Sequence, residues 1–275
     1  MAAETLDLAH PMPFAASEER EAAIAFFNAA FRAEESGLRQ AHELAQELEG
    51  GDPELAECLR LYGDEEGWHR ELLTRFLGWL GGEVRPMGPT TTTFYRLYAR
   101  AKRMESIVLV NLMFETIGST TYRLALRGVT HPAVRQMLTI LTRDESFHVP
   151  LNVHFLRCAL QRAKEQQSRT EMARSRARLR AIYHATFLAL VASTAASRRR
   201  AERFDGIPMQ VLGRAYAEEL ARLFLGEEDL GLAPSSLLLR SFRLDRARLL
   251  HQESPVSLEA AERAAERENV VVEAR

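Results

Sequence analysis

Two apolar seams in this chain are each interrupted by a carboxylate and an imidazole one helical turn apart, and nothing else in the sequence constrains the fold as tightly. The first seam runs Leu59, Tyr62, Glu66, His69, Leu73, Phe76 and Leu80, in steps of three and four. The second runs Val134, Leu138, Leu141, Glu145, His148, Asn152, Phe155 and Ala159 with the same steps. That spacing sets each series on one face of an α-helix, the face that turns toward a core. Burying ionised groups costs several kcal/mol each unless they are paired or bound to metal. A single Glu-x-x-His would carry no weight, because chance alone gives about one in a chain with this many glutamates and histidines. The register carries the signal. Each motif lies about thirty residues after a glutamate on the preceding helix, Glu34 or Glu35 before Glu66 and Glu115 before Glu145. The two halves read as a degenerate repeat.

Helical periodicity fills residues 17 to about 164, and strand patterns are nearly absent. The first helix is expected to use Ser17 as its N-cap and to stop at Gly50-Gly51; the second opens with Asp52 as cap and Pro53 in its first turn, and ends at Gly81-Gly82. The third is expected after the threonine run Thr90 to Thr93 and ends near Gly128, and the fourth is expected to be capped by Thr130 with Pro132 in its first turn. The links at Gly50 and Gly128 are short and force antiparallel neighbours. The 13-residue link from Gly81 to Thr93 can reach about 43 Å at ~3.3 Å per residue, enough to run the length of a bundle. The fold class is therefore all-α, two antiparallel hairpins joined by a long crossover between helices 2 and 3, the ferritin-like four-helix bundle. Further helical patterns follow at 170–200, 208–225 and 235–251. The expected organisation is an N-terminal segment (1–16), the di-metal bundle (17–165), a C-terminal helical extension packed on it (166–255) and a charged, flexible tail (256–275).

Four carboxylates and two histidines, a pair from each Glu-x-x-His helix and one carboxylate from each other helix, form the ligand set of bundle-core di-iron and di-manganese sites. The candidates are Glu34, Glu66, His69, Glu115, Glu145 and His148. Glu34 lies at the centre of the stripe made by Phe27, Phe31, Leu38, Ala41, Ala45 and Leu48, and Glu35 lies at its edge as the alternative. Gly37 and Gly118, three residues after Glu34 and Glu115, leave room for close approach. Four carboxylates offset two divalent ions, and hard oxygen ligands with imidazole suit Fe, Mn or Co. A metal-free ion-pair network would need Arg or Lys on the same faces, and the seams offer none. Asp144 and Glu65, each beside a motif glutamate, can accept the remaining ring N–H of the opposite helix's histidine. Tyr122, two turns beyond Glu115, is a candidate pocket or redox tyrosine. His42, His154 and His184 have no partner at ligand spacing. Pro150 removes a helical hydrogen bond beside the site and is expected to kink helix 4.

Composition narrows the partners. The formal charge is −2, which gives no basic field for nucleic acid. Only Lys102 and Lys164 are lysines, and the arginine groups Arg174 to Arg180 and Arg198 to Arg200 read as solvated helix ends. Cys58 and Cys158 are too few for a disulfide framework, which favours a reducing, cytoplasmic setting. The apolar run from Ala181 to Ser197 is at the short limit for a membrane span and reads as a buried helix. A homodimer is compatible with all of this.

The order Glu, Glu-x-x-His, Glu, Glu-x-x-His, with Arg143-Asp144-Glu145-Ser146-Phe147-His148 as its last motif, resembles the ferritin-like di-iron superfamily over about residues 17–160. Asp-Glu-x-x-His and Glu115-x-x-Gly118-x-x-x-Tyr122 are most similar to its oxygen-activating branch, which includes aldehyde-deformylating oxygenase. Leu141 stands where the related arylamine N-oxygenases carry an extra histidine. The resemblance implies two Fe ions, with Mn or mixed Mn/Fe as variants, and Glu66 and Glu145 as bridging carboxylates. It implies an O2-dependent oxidase or oxygenase acting on a small, largely apolar substrate, with an electron donor. A ferroxidase or iron-handling protein, and a helical interaction protein with a vestigial site, are the other readings.

Overall fold

The computed structural model describes residues 6–251 except 10, 13, 15, 89–91, 93, 94, 96, 97, 99, 100 and 102, and only the backbone of 192–200. The tail expected from residue 256 lies outside the described residues. The bundle is built from α1 (Ser17–Leu48), α2 (Pro53–Trp79), α3 (Met104–Gly128) and α4 (Pro132–Gln166). After it come α5 (Arg169–Asp205), α6 (Met209–Gly226), a 3-10 turn (Glu228–Leu230), α7 (Ser236–Ser241) and α8 (Arg246–His251).

Three helices, α2, α5 and α7, are capped by a side chain. Asp52 accepts the Leu55 N–H at 3.0 Å, with Pro53 in the first turn of α2. Ser168 and Glu171 form a reciprocal capping box at the start of α5. Two caps differ from expectation. Ala16 rather than Ser17 precedes α1, and His131 rather than Thr130 precedes α4, neither with a side-chain cap. In α4, Pro132 at the first helical position already dispenses with one N–H. The third helix also begins later than the threonine run, at Met104, because Arg103 is extended at φ −110° and ψ 125°. Thr92, Tyr95 and Tyr98 in the crossover are themselves helical, and the Tyr98 hydroxyl donates to the Ile107 carbonyl at 3.0 Å, docking the crossover on α3. The last helical pattern is divided into α7 and α8 by a turn in which Arg243 takes φ 53°. Helix α4 continues through Pro150.

The hairpins α1–α2 and α3–α4 make the most extensive contacts, α5 lies on α1 and α3, and α6 lies on α3 and α5. Gly128 permits this cover: a Cβ there would sit 2.5 Å from the Asp205 carbonyl oxygen at the end of α5. No helix among the described residues is long and apolar enough to cross a membrane. The interior is divided in two. One apolar cluster holds Phe27, Phe31, Leu73, Phe76, Leu126 and Leu138, and the other Leu44, Leu59, Leu109, Phe155, Tyr183 and Phe224. Every bundle helix contributes to both clusters, with its charged site residues between the two contributions.

Candidate metal centre

In the belt between the two cores, α1 supplies Glu34, α2 supplies Glu66 and His69, α3 supplies Glu115, and α4 supplies Glu145 and His148. All are at most 8% exposed. The neighbouring glutamate in α1 turns away: the Glu35 side chain is 39% exposed and meets Arg32 at 2.6 Å. Glu34, His69 and Glu145 bring one ligand atom each within 4.8 Å of one another, and so do Glu66, Glu115 and His148. Each Glu-x-x-His pair is thus split, its glutamate grouped with the histidine of the other motif. Gly37 makes this approach possible, since a Cβ there would lie 3.0 Å from the carboxyl carbon of Glu66.

Both imidazoles are held the same way. His69 Nδ1 faces Glu34 at 3.2 Å while its Nε2 meets Asp144 on α4 at 3.1 Å. His148 Nδ1 lies 3.3 Å from Glu66 and 3.6 Å from both Glu115 and Glu145, and its Nε2 meets Glu65 on α2 at 3.3 Å. The outward nitrogen of each ring is fixed by an acid on the opposite helix, leaving Nδ1 directed at the carboxylates. Tyrosines hold the two lone glutamates: Tyr122 donates to Glu34 at 3.2 Å and Tyr62 to Glu115 at 2.7 Å. Burial raises both phenols well above their ordinary pKa, aided by the surrounding carboxylates, so both stay protonated donors.

The acids divide into two kinds. Burial, with the charges of Glu34 and Glu115, pushes Glu66 well above the carboxylate range, and burial with Glu115 does the same to Glu145. Burial also opposes ionisation of Glu34 and Glu115, but their neighbours outweigh it, Glu66 and His69 for the first and Glu145, His148 and Tyr62 for the second. Glu34 is lowered, and Glu115 falls to about 2. Burial alone would lower His69, yet Asp144 and Glu34 raise it to about 9. His148 is raised well above its ordinary value by Glu115, Glu145 and Glu65 against the same opposing burial.

The residues fit divalent metal. Among the described residues, Glu66 Oε1, Glu145 Oε2 and His148 Nδ1 are buried without a hydrogen-bond partner, a costly condition for polar atoms. All three belong to the two groups, and their oxygen and imidazole donors are those Fe and Mn accept. A cavity of about 20 Å³ adjoins them, walled by Ala33, Tyr95, Tyr98, Phe114, Gly118 and Tyr122. That is room for about one water-sized molecule.

Sequence reasoning placed Tyr62 and Asn152 on the seams without a role and passed over Asn111. Asn111 Nδ2 donates to Tyr62 Oη at 2.8 Å and to Asn152 Oδ1 at 3.1 Å, and Asn152 donates to the His148 carbonyl at 3.0 Å. Each stands four residues from a site residue, Tyr62 from Glu66, Asn111 from Glu115 and Asn152 from His148, so the i, i+4 rule was the available signal. Tyr95 and Tyr98 belong to the crossover, where periodicity gives no guide. The three histidines set aside for want of a partner at ligand spacing lie elsewhere: His42 meets Asp64 at 3.1 Å, His154 approaches Cys158 Sγ at 3.6 Å and His184 meets the Arg180 carbonyl at 2.7 Å.

A four-helix bundle whose core presents two carboxylate and histidine groups defines a di-metal carboxylate protein of the ferritin-like class. Residues 25–151, the segment that carries all six site residues, match the family described as Rubrerythrin. No curated protein and no solved structure matches the chain. The narrower likeness to aldehyde-deformylating oxygenase gains no support from these matches.

Proposed function

We propose that the chain is a di-iron oxidase that reduces a small oxidant, O2 or hydrogen peroxide, in the belt between its two cores. One metal would be held by Glu34, His69 and Glu145 and the other by Glu66, Glu115 and His148. Two ferrous ions there supply one electron each, sufficient with two protons to take O2 to hydrogen peroxide or hydrogen peroxide to two waters. The observation that carries the reading is the cavity of about 20 Å³ beside the carboxylates, which suits an oxidant of two non-hydrogen atoms better than an organic substrate. Tyr122 and Tyr62 orient Glu34 and Glu115 through their O–H groups, and Asp144 and Glu65 hold the two rings in the tautomer that turns Nδ1 inward. Tyr95, Tyr98 and Phe114 exclude bulk water from the oxidant's side of the site. Oxygenation of a small apolar substrate would need the crossover tyrosines to move aside. An electron donor would restart the centre.

The test is anaerobic titration with Fe(II) to saturation, followed by a substoichiometric pulse of O2 or of peroxide. Two Fe(II) bound per chain, and two oxidised per oxidant molecule, are expected. Binding of less than one Fe(II) per chain overturns the proposal. Oxidation of many Fe(II) per chain without added reductant would point to iron handling instead.

A further inference from the structure

Far from the belt, a groove of about 360 Å³ lies between the end of α4, the start of α5 and the turn at residues 229–232. Its lining begins at Arg157, nine residues beyond His148 on α4, or about 14 Å along the helix. The apolar wall is Leu160, Met172, Leu179 and Leu230. The turn that closes it is pinned from both sides: Arg157 holds Asp229 at 2.7 Å and also binds Glu227, and Arg180 donates to the Gly231 carbonyl at 3.2 Å.

Charge distinguishes this groove from an ordinary surface cleft. Arg157, Lys164 and Arg176 line it against one acid, Asp229, which is committed to Arg157. Lys164 and Arg176 have no hydrogen-bond or ion-pair partner among the described residues. The nearby acids in sequence are engaged, Glu165 by Gln161 at 2.7 Å and Glu171 by Ser168 at 2.6 Å. Gln167, also in the lining, keeps its buried Oε1 without a partner among the described residues; rotating the amide by half a turn would present N–H to an anion.

We propose that this groove binds a small amphipathic anion, a medium-chain carboxylate whose head group meets Lys164 and Arg176 and whose alkyl chain lies on Leu160, Met172, Leu179 and Leu230. The size agrees. A dry cavity of ~150 Å³ takes a benzene, so one of this volume accommodates roughly fourteen non-hydrogen atoms, and octanoate is smaller than that. The site is independent of the metal centre and of the reaction proposed there.

The test uses the full metal-loaded chain and octanoate, with octan-1-ol and inorganic phosphate as the neutral and tailless probes. Saturable octanoate binding is expected by calorimetry, at least about tenfold tighter than either control. The double variant Lys164→Glu/Arg176→Glu, both positions exposed, should weaken it at least about tenfold. A second readout needs no variant. With only two lysines in the chain, amine labelling followed by peptide mass spectrometry should show Lys164 protected by octanoate and Lys102 unaffected. Octan-1-ol binding as tightly as octanoate, an unaltered affinity in the double variant, or Lys164 labelled equally with and without octanoate overturns the proposal.

Discussion

Loading the centre with two divalent ions should release about four protons per chain. In the metal-free protein four carboxylates surround two imidazoles, and His69 and His148 are the cations within 4.0 Å of those carboxylates among the described residues. Uncompensated buried charge costs several kcal/mol, so the cluster keeps protons until it is nearly neutral. Two imidazolium rings and two carboxyl protons achieve this. The carboxyl protons fall to Glu66 and Glu145, which are pushed well above the carboxylate range, while Glu34 and Glu115 are held below it. Two ions of charge +2 need four ionised carboxylates and two neutral rings, so about four protons leave. The cost is appreciable: with a pKa of about 9, His69 alone opposes binding at pH 7 by ~2.7 kcal/mol. The sign follows from raised values. Groups that must lose protons make affinity rise with pH, and the His69 contribution to that rise ends once pH passes about 9. Calorimetry of Mn(II) binding in two buffers of different protonation enthalpy reads the number directly, from the dependence of heat on buffer. Release of one proton or fewer for two bound ions would refute the neutralisation argument.

Asp144→Asn should weaken metal binding about 10–100-fold, because the His69 Nε2 partner at 3.1 Å loses its charge; an unaltered Mn(II) affinity would show that Asp144 does not tune the ring. Gly37→Ala places a methyl 3.0 Å from the Glu66 carboxyl carbon, so metal stoichiometry or affinity should fall at the Glu66 group while far-ultraviolet circular dichroism stays unaltered. Phe27→Ala removes a fully buried ring that packs on Phe76 at 4.7 Å and should cost ~3–5 kcal/mol in denaturant unfolding, with the two-metal stoichiometry retained.

Two levels of information in the sequence account for what it made legible. Helix class and pairing depend on periodicity and on connection length, which are local and redundant, so α1, α2 and the two hairpins could be read from spacing alone. Caps depend on single residues: Ser17 and Thr130 are good cap residues, yet the chain enters its helices through Ala16 and His131. The start of α3 was misplaced because the crossover carries helical residues of its own, Thr92, Tyr95 and Tyr98, which merge into the pattern of the following helix. At the site, the charged residues stood out because they break apolar faces in matched register. Tyr62, Asn111 and Asn152 did not, since a tyrosine or asparagine on such a face is unremarkable until its partner's position is known. The wall formed by Tyr95 and Tyr98 depends on tertiary docking of the crossover, which no local pattern encodes.

The division of the interior into two apolar clusters has a mechanical consequence. Every helix of the bundle crosses the charged belt once, near its midpoint, so no helix can fray past its centre without pulling a ligand out of place. Metal in the belt would act as a rivet through four rods. The two ends could then breathe independently while global opening is slowed, and amide exchange in the loaded protein should show two separable end regions around a protected waist. Removing the metal should merge them into one cooperative transition, leaving a bundle whose least stable zone is the zone that holds its chemistry.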